Sequence, residues 1–154
     1  MAGDKFDFKA QLKVGDRGEE LFLERYPGKI EVYPGREYDF TCKKTGLTIE
    51  LKTDTYNMDK TANFFMERFS DVHKQTSGGP WRAHGDDVNI FVYYFVRHNL
   101  WYQFNNLRGL CERLDELTKK QGMIYIKNKG WVTAGYTVKR VDLEDLYDIY
   151  EFED

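Results

Sequence analysis

Apolar and polar residues alternate in both halves of the stretch from residue 38 to residue 52. Such alternation is typical of β-strands, whose successive side chains point to opposite faces. The segment between the halves, 43–46, ends in Gly46, which can adopt the positive φ that a tight turn often needs. The sequence therefore predicts a hairpin. Its apolar face consists of Tyr38, Phe40, Cys42, Leu47, Ile49 and Leu51, and its polar face carries Asp39, Thr41, Thr48, Glu50 and Lys52.

Residues 8–26 have helical periodicity, and Pro27-Gly28 is a stop signal. On a helical wheel Glu19 lies in the middle of the apolar stripe, whereas Glu20 lies on the polar face. A buried carboxylate needs a partner, because burying it alone is costly. Two interpretations are open: Glu19 bonds to backbone or to an Arg, or it faces the same site as Asp39 and Glu50. The other members of the stripe are Phe8, Leu12, Gly15, Phe22, Leu23 and Tyr26.

The remaining pattern predicts a single α/β domain with a central mixed β-sheet flanked by helices. Residues 88–96 form the most apolar run and are expected to be a strand buried on both faces. Other strands are predicted at 30–33, 63–69 and 100–104, and a hairpin at 123–127 and 131–141. Helices are predicted from Asn105 or Asn106 to about 120 and over 143–150 after Asp142, and loops at 53–61 and 77–81.

Composition limits the function. The chain has 154 residues and a formal net charge of −3, which argues against a large nonspecific basic surface for DNA but not against a local basic groove. Its 11 Tyr, 11 Phe and 3 Trp are expected mostly in the core. Cys42 and Cys111 are expected to be reduced. With no membrane-length apolar run and a polar start, a cytoplasmic protein is expected.

One pattern resembles the motif of the PD-(D/E)xK nuclease superfamily: Asp39 is followed by ten residues and then by Glu50-Leu51-Lys52. Tyr38 stands where that family often has Pro. Gly15-Asp16-Arg17-Gly18-Glu19 resembles the first-helix glutamate motif of its archaeal Holliday-junction-resolvase branch. The segments 50–54 and 63–67 are similar to small phage and bacterial proteins of the superfamily. The resemblance covers roughly residues 12–70 and implies a restriction-endonuclease-like core; a phage-encoded chain would act in the host cytoplasm.

The resemblance implies a catalytic set of Glu19, Asp39, Glu50 and Lys52. Mg²⁺ would be the cofactor, with Mn²⁺ able to substitute, because Mg²⁺ prefers oxygen ligands and retained waters. Asp39, Glu50 and the Leu51 carbonyl would be ligands, and Glu19 a further ligand or a partner of a bound water. Lys52 would stabilise developing negative charge. Glu67 is open as a fourth acid or a salt-bridge partner. Phosphate contacts are expected from Lys60, Arg68, Lys74 and Arg82.

The implied function is metal-dependent hydrolysis of DNA phosphodiester bonds, by a structure-specific endonuclease or a junction resolvase acting in DNA recombination. A resolvase cuts two symmetric strands and is expected to be a homodimer, with Trp81 or Trp101 as exposed aromatics for its interface. One alternative is a non-catalytic module that keeps the nuclease fold and binds nucleic acid or protein. Another is an enzyme acting on a different phosphate-bearing substrate, such as a nucleotide.

Overall fold

The computed structural model describes residues 17–26 and 28–151. In this part of the chain the larger of two sheets has six strands: β1 Ile30–Val32, β2 Phe40–Cys42, β3 Thr48–Asp54, β6 Ile90–Phe95, β7 Leu100–Phe104 and β10 Tyr147–Glu151. They lie in the order β1-β2-β3-β6-β7-β10. Only β3 and β6 run parallel, so the sheet is mixed.

The second sheet has four strands: β4 Asn63–Asp71, β5 Thr76–Ser77, β8 Ile124–Lys127 and β9 Val132–Lys139. They lie in the order β5-β4-β9-β8, and all neighbours are antiparallel. The α/β class and the mixed sheet predicted from the sequence are confirmed, whereas this second sheet was not predicted. Sheet stacking depends on contacts between distant segments, which a local pattern does not report.

Three α-helices lie in the described part of the chain: α1 over residues 17–25, α2 Gly79–Gly85 and α3 Leu107–Thr118. The side chain of Asn106 accepts a hydrogen bond from the Gly109 N–H and caps α3 as predicted. Three 3₁₀ turns occur at Met58–Lys60, Val96–His98 and Arg140–Leu143. None of the helices within residues 17–26 and 28–151 has the length and apolar character needed to cross a membrane. The part of the predicted first helix before residue 17 lies outside the described residues.

Strand β6 is buried on both faces, as its continuous apolar sequence predicts. Phe91, Tyr93 and Phe95 point to a core shared with the second sheet, α2 and α3. Val92 and Tyr94 point to a second core, where Phe22 of α1 packs. The larger sheet is therefore covered by α1 on one face and by the second sheet on the other.

Two sequence predictions about elements are wrong. Residues 143–150 do not form a helix, because Tyr147–Glu151 pairs with β7 as an edge strand and Tyr147 packs its ring against Tyr102 and Phe104. The predicted loop 77–81 contains the start of α2, where Gly78 is the N-cap and Pro80 lies in the first turn. Pro is favourable at that position, because the first N–H groups of a helix lack intrahelical partners. The predicted loop 53–61 is shortened by β3 and by the turn Met58–Lys60.

The β2–β3 hairpin forms, but the prediction that Tyr38 shares the face of Phe40 is wrong, because Tyr38 packs against the core on the side of the second sheet. Phe40 and Ile49 are paired and buried toward α1, and Gly46 has the expected positive φ of 74°. In the parallel pair, Glu50 is in register with Phe91 and Lys52 with Tyr93, so both side chains point toward the second sheet. The charged face of the hairpin thus points toward the second sheet, and the region between β3, β4 and α2 is called the cleft below.

Candidate active site

Asp39 and Glu50 form the centre of the candidate site. Asp39 directly precedes β2, and the register of β2 and β3 continued by one residue sets it opposite Glu50. Their carboxyl groups hydrogen-bond to each other. Asp39 also binds the backbone of β3, because its Oδ2 accepts a hydrogen bond from the Leu51 N–H at 2.7 Å. Asp39 therefore takes the place of a strand partner for Leu51 while presenting its carboxyl group to Glu50.

The pKa of Glu50 is raised to about 9, and burial is the largest cause. The hydrogen bond and the negative charge of Asp39 contribute to this rise, and so does the charge of Glu19, whereas Arg82 acts in the opposite direction. Two adjacent carboxyl groups in a partly buried place cannot both be ionised at low cost, so they hold one proton between them. In neutral solution this pair therefore stores a proton that a cation can replace.

Leu51 brings its carbonyl to the same edge of β3. Its N–H points toward Asp39, and the N–H and C=O of one residue in a strand point to the same side. The Leu51 side chain itself packs into the core under α1. The carbonyl oxygen is therefore on the side where Asp39 lies, as expected for a third oxygen ligand.

Glu19 lies on α1, which packs on the face of the larger sheet opposite to the one toward which Glu50 points. Its charge contributes to the raised pKa of Glu50, so the two carboxylates are within electrostatic range. Glu20, by contrast, is exposed and pairs with Arg17 at 3.6 Å. Glu19 is half-buried and Glu20 is exposed, as the helical wheel predicts, whereas a place for Glu19 in the site stays a prediction.

The approach of α1 to β3 depends on a glycine. A Cβ built on Gly18 would lie 2.1 Å from Cγ2 of Thr53 and 3.7 Å from Cγ2 of Val96. Real side chains do not approach so closely, so a residue larger than Gly would push α1 away from the sheet. Because Gly18 precedes Glu19, this contact sets how closely the backbone at Glu19 approaches β3.

Lys52 points into the same cleft and interacts with an acid from the second sheet. The positive charge of Lys52 lowers the pKa of Glu67 on β4, and this is the largest effect opposing the rise that burial causes. Arg82 on α2 acts on both Glu67 and Glu50. Its Nη2 donates to the Arg36 carbonyl at 3.2 Å, which fixes α2 next to the loop that precedes Asp39.

Glu67 and Arg82 interact electrostatically with residues of the predicted set, since Lys52 acts on Glu67 and Arg82 acts on Glu50. The sequence leaves Glu67 open between a site acid and a salt-bridge partner, and it predicts only contacts with DNA phosphates for Arg82. No motif spacing indicates either role, because β4 and α2 reach the cleft only through the packing of the second sheet. The available signal was Glu67 itself, a charged residue within the aromatic segment 63–69.

The other basic residues expected to bind nucleic acid are not gathered at the cleft by the contacts that the structure shows. Arg68 donates to Ser77 Oγ at 3.4 Å, and its guanidinium lies over the rings of Phe69 and Trp81. Lys60 is exposed in the turn Met58–Lys60, and Lys74 is exposed in the turn between β4 and β5.

The aromatic residues expected to supply a dimer interface are also in different places. Trp101 is fully buried, packed against Phe22 and Tyr94, so that expectation is wrong for Trp101. Trp81 is half-buried and donates its indole N–H to Asp115 at 2.9 Å. Both cysteines are free, as predicted.

The donor set fits a hard divalent cation. Within residues 17–26 and 28–151, no three acidic, His or Cys side chains lie close enough together to form a complete cage. Mg²⁺ does not need one, since it is usually held by one or two carboxylates and keeps several waters. Asp39 and Glu50, which already compete for one proton, together with the Leu51 carbonyl, offer such a set of oxygens.

No family model matches this sequence, and no curated protein is significantly similar to it. Membership of the PD-(D/E)xK superfamily therefore stays a prediction from the motif residues.

Proposed function

We propose that this protein is a Mg²⁺-dependent deoxyribonuclease that hydrolyses DNA phosphodiester bonds at the cleft between the β2–β3 hairpin and α2. The observation that carries the proposal is the hydrogen-bonded pair of Asp39 and Glu50, with the charge of Glu19 acting on Glu50. A pair of carboxyl groups in this environment is costly without a proton or a cation. A role in cation binding explains why the chain keeps both.

Each residue has a role that follows from its position. Asp39, Glu50 and the Leu51 carbonyl would hold the cation, and Glu19 would orient a water beside it. When bound, Mg²⁺ supplies positive charge at the phosphate and lowers the pKa of an attacking water. Lys52 lies on the face that carries Glu50 and stabilises the negative charge that develops on the phosphate.

DNA is the proposed partner. Arg82 is the basic residue tied to the cleft by its charge effects on Glu50 and Glu67, so it is the foremost phosphate contact. Lys60 and Lys74 are exposed and available for more distant phosphates, and Arg68 has a lesser part because it is engaged by Ser77 and Trp81. The free cysteines agree with a cytoplasmic location.

A structure-specific endonuclease or junction resolvase is the finer form of the proposal, and a homodimer would then place two clefts on two symmetric strands. This step is supported by the resemblance of the segment 15–19 to the resolvase branch.

The test is a cleavage assay on three substrates: supercoiled plasmid, a four-way junction and single-stranded DNA. Each is incubated with Mg²⁺, with Mn²⁺ and with EDTA. We expect cutting with either metal, none in EDTA, and a loss of at least about a hundredfold in Lys52→Ala. Absence of cutting with both metals on all three substrates would refute the proposed function and favour a non-catalytic module. Cutting that survives Lys52→Ala would refute the assignment of Lys52.

A further inference from the structure

Two tyrosine rings stack beside the Asp39–Glu50 pair. The ring centroids of Tyr33 and Tyr38 lie 3.8 Å apart, and the ring planes differ by 20°. Both residues are half-buried, and residues 34–37 between them are exposed. Tyr38 also packs against the core on the side of the second sheet. The stack therefore lies on the face of the larger sheet toward which Glu50 points.

The strand register places Tyr33 directly next to Asp39. Val32 is paired with Phe40, and the Tyr33 N–H donates to the Asp39 carbonyl at 2.8 Å, so the pairing of β1 with β2 continues by one residue. Residues opposite each other in an antiparallel pair have their side chains on the same face. Because neighbouring strands lie about 5 Å apart, the backbone of Tyr33 is about 5 Å from that of Asp39 and about 10 Å from that of Glu50.

The loop 34–37 holds the stack in place and joins it to α2. A Cβ built on Gly35 would lie 2.3 Å from Cε2 of Tyr33, so a larger residue would clash with the ring. The Arg36 carbonyl in the same loop accepts a hydrogen bond from Nη2 of Arg82 at 3.2 Å. Arg82 is the foremost phosphate contact proposed above. One short loop therefore connects an aromatic surface to the residue that would hold the DNA backbone.

An aromatic surface at this distance from a phosphate site fits a nucleobase. Aromatic side chains bind single-stranded nucleic acid by stacking on its bases, and they tolerate any sequence because every base has a π face. In a duplex the bases are paired and stacked on each other, so a base reaches such a side chain only when it leaves the helix or lacks a partner. The stack is thus placed to distinguish unpaired from paired nucleotides.

We propose that the Tyr33–Tyr38 stack binds the unpaired base of a nucleotide whose phosphate lies at the Asp39–Glu50 pair. The inference rests on the nuclease function proposed above and narrows its substrate class to DNA with an unpaired base at the cut. The contact is made by the ring of Tyr33 and does not need its hydroxyl group.

The binding test uses Mg²⁺ and proteins that all carry Lys52→Met, so that cutting is slow. A single-stranded oligonucleotide with one 2-aminopurine, whose fluorescence reports stacking, is compared with the paired duplex of the same sequence. We expect Tyr33→Leu to lower the affinity for the single strand about tenfold and the affinity for the duplex less than about twofold. Tyr33→Phe keeps the ring and should bind both as the parent does. Tyr125→Leu is the control, because Tyr125 is exposed on β8 of the second sheet.

The kinetic test uses Mg²⁺, proteins with Lys52 intact, and two duplexes that differ by one unpaired nucleotide. We expect Tyr33→Leu to lower kcat/KM about tenfold on the duplex with the unpaired nucleotide and less than about twofold on the fully paired one. Retained duplex binding shows that Tyr33→Leu is folded.

The outcomes separate this inference from the proposed function. Equal losses on both kinds of DNA, an unchanged single-strand affinity in Tyr33→Leu, or the same loss in Tyr33→Phe would overturn the base site. A wild type that cuts no DNA would refute the nuclease function, whereas single-strand binding that depends on the Tyr33 ring would still support the base site.

Discussion

Asp39 and Glu50 lie opposite each other across the β2–β3 hairpin and hydrogen-bond through their carboxyl groups. The same Asp39 accepts the Leu51 N–H, so the backbone fixes one member of the pair. A hydrogen bond between two carboxyl groups requires a proton on one of them. The cation that we propose for this site therefore competes with a proton.

Cation binding should release that proton. The pKa of Glu50 is raised to about 9, so Glu50 is protonated through the neutral range and must lose its proton to become a ligand. Below pH 9 we expect the association constant for Mn²⁺ to rise by up to about tenfold per pH unit. Calorimetric titration between pH 6 and 8, in two buffers of different ionisation enthalpy, counts the protons released. Affinity that does not change with pH, with no proton released, would contradict the shared proton.

The stability of the metal-free protein should fall as pH rises. The pKa of Glu50 is higher in the folded protein than its ordinary value of 4.5, so the folded state binds the proton more tightly than the unfolded chain. The stability that this proton contributes is complete below pH 4.5 and is lost as pH rises through about 9. We expect Glu50→Gln to remove this dependence and to exceed the wild type by about 2 kcal/mol near pH 9.

Urea unfolding in EDTA at pH 5, 7 and 9 measures the difference. Glu31→Gln is the matched control, because Glu31 lies in the same sheet on β1 and is exposed. Parallel pH dependence in the wild type and in Glu50→Gln would show that another group titrates.

Substitution of Gly18 should separate α1 from the site. Ala at this position places a methyl group 2.1 Å from Thr53 Cγ2, so we expect a loss of about 1–3 kcal/mol in the free energy of unfolding and a decrease in cleavage. Thr53→Ala removes the clashing methyl and should restore part of both losses in the double variant. Gly85→Ala is the control, since nothing lies within 4 Å of a Cβ at Gly85. Additive effects of the two substitutions would contradict a direct contact.

The adjacent glutamates of α1 should differ in their effect on activity. Glu19 acts on Glu50, whereas Glu20 is exposed and pairs with Arg17. We expect Glu19→Gln to lower cleavage by at least about tenfold, as substitution of an outer partner of a metal site does, and Glu20→Gln to leave it within twofold. Initial rates at saturating Mg²⁺ give the comparison. Equal losses in the two variants would mean that cleavage depends on the total charge of α1 and not on which of the two glutamates carries it.

The sequence was informative where one segment determines its own faces. Alternation predicted the sides on which Asp39, Glu50 and Lys52 lie, and helical periodicity separated Glu19 from Glu20. The continuous apolar run of β6 predicted a strand buried on both faces. In each of these cases the period of the backbone alone decides the direction of the side chain.

The rest depends on packing between distant segments. The spacing of the apolar residues in this segment is compatible with either a short helix or an edge strand; these residues are Tyr147, Ile149 and Tyr150. The segment forms a strand because it pairs with β7. The sequence around Gly78 and Gly79 predicts a loop. In the structure, the absence of a Cβ at these two residues allows the beginning of α2 to pack against Glu67. Glu67 and Arg82 join the cleft because the second sheet and α2 pack over β3, which no local pattern reports.

The most direct measurement of the central claim is plasmid cleavage by Asp39→Asn beside Asp59→Asn. Asp39 is one half of the carboxyl pair, whereas Asp59 is exposed in the turn Met58–Lys60. With Mg²⁺ we expect the wild type and Asp59→Asn to nick supercoiled DNA at equal rates, and Asp39→Asn to be slower by at least about a hundredfold. Equal rates in all three proteins, or cutting that persists in EDTA, would contradict a metal-dependent nuclease centred on Asp39 and Glu50.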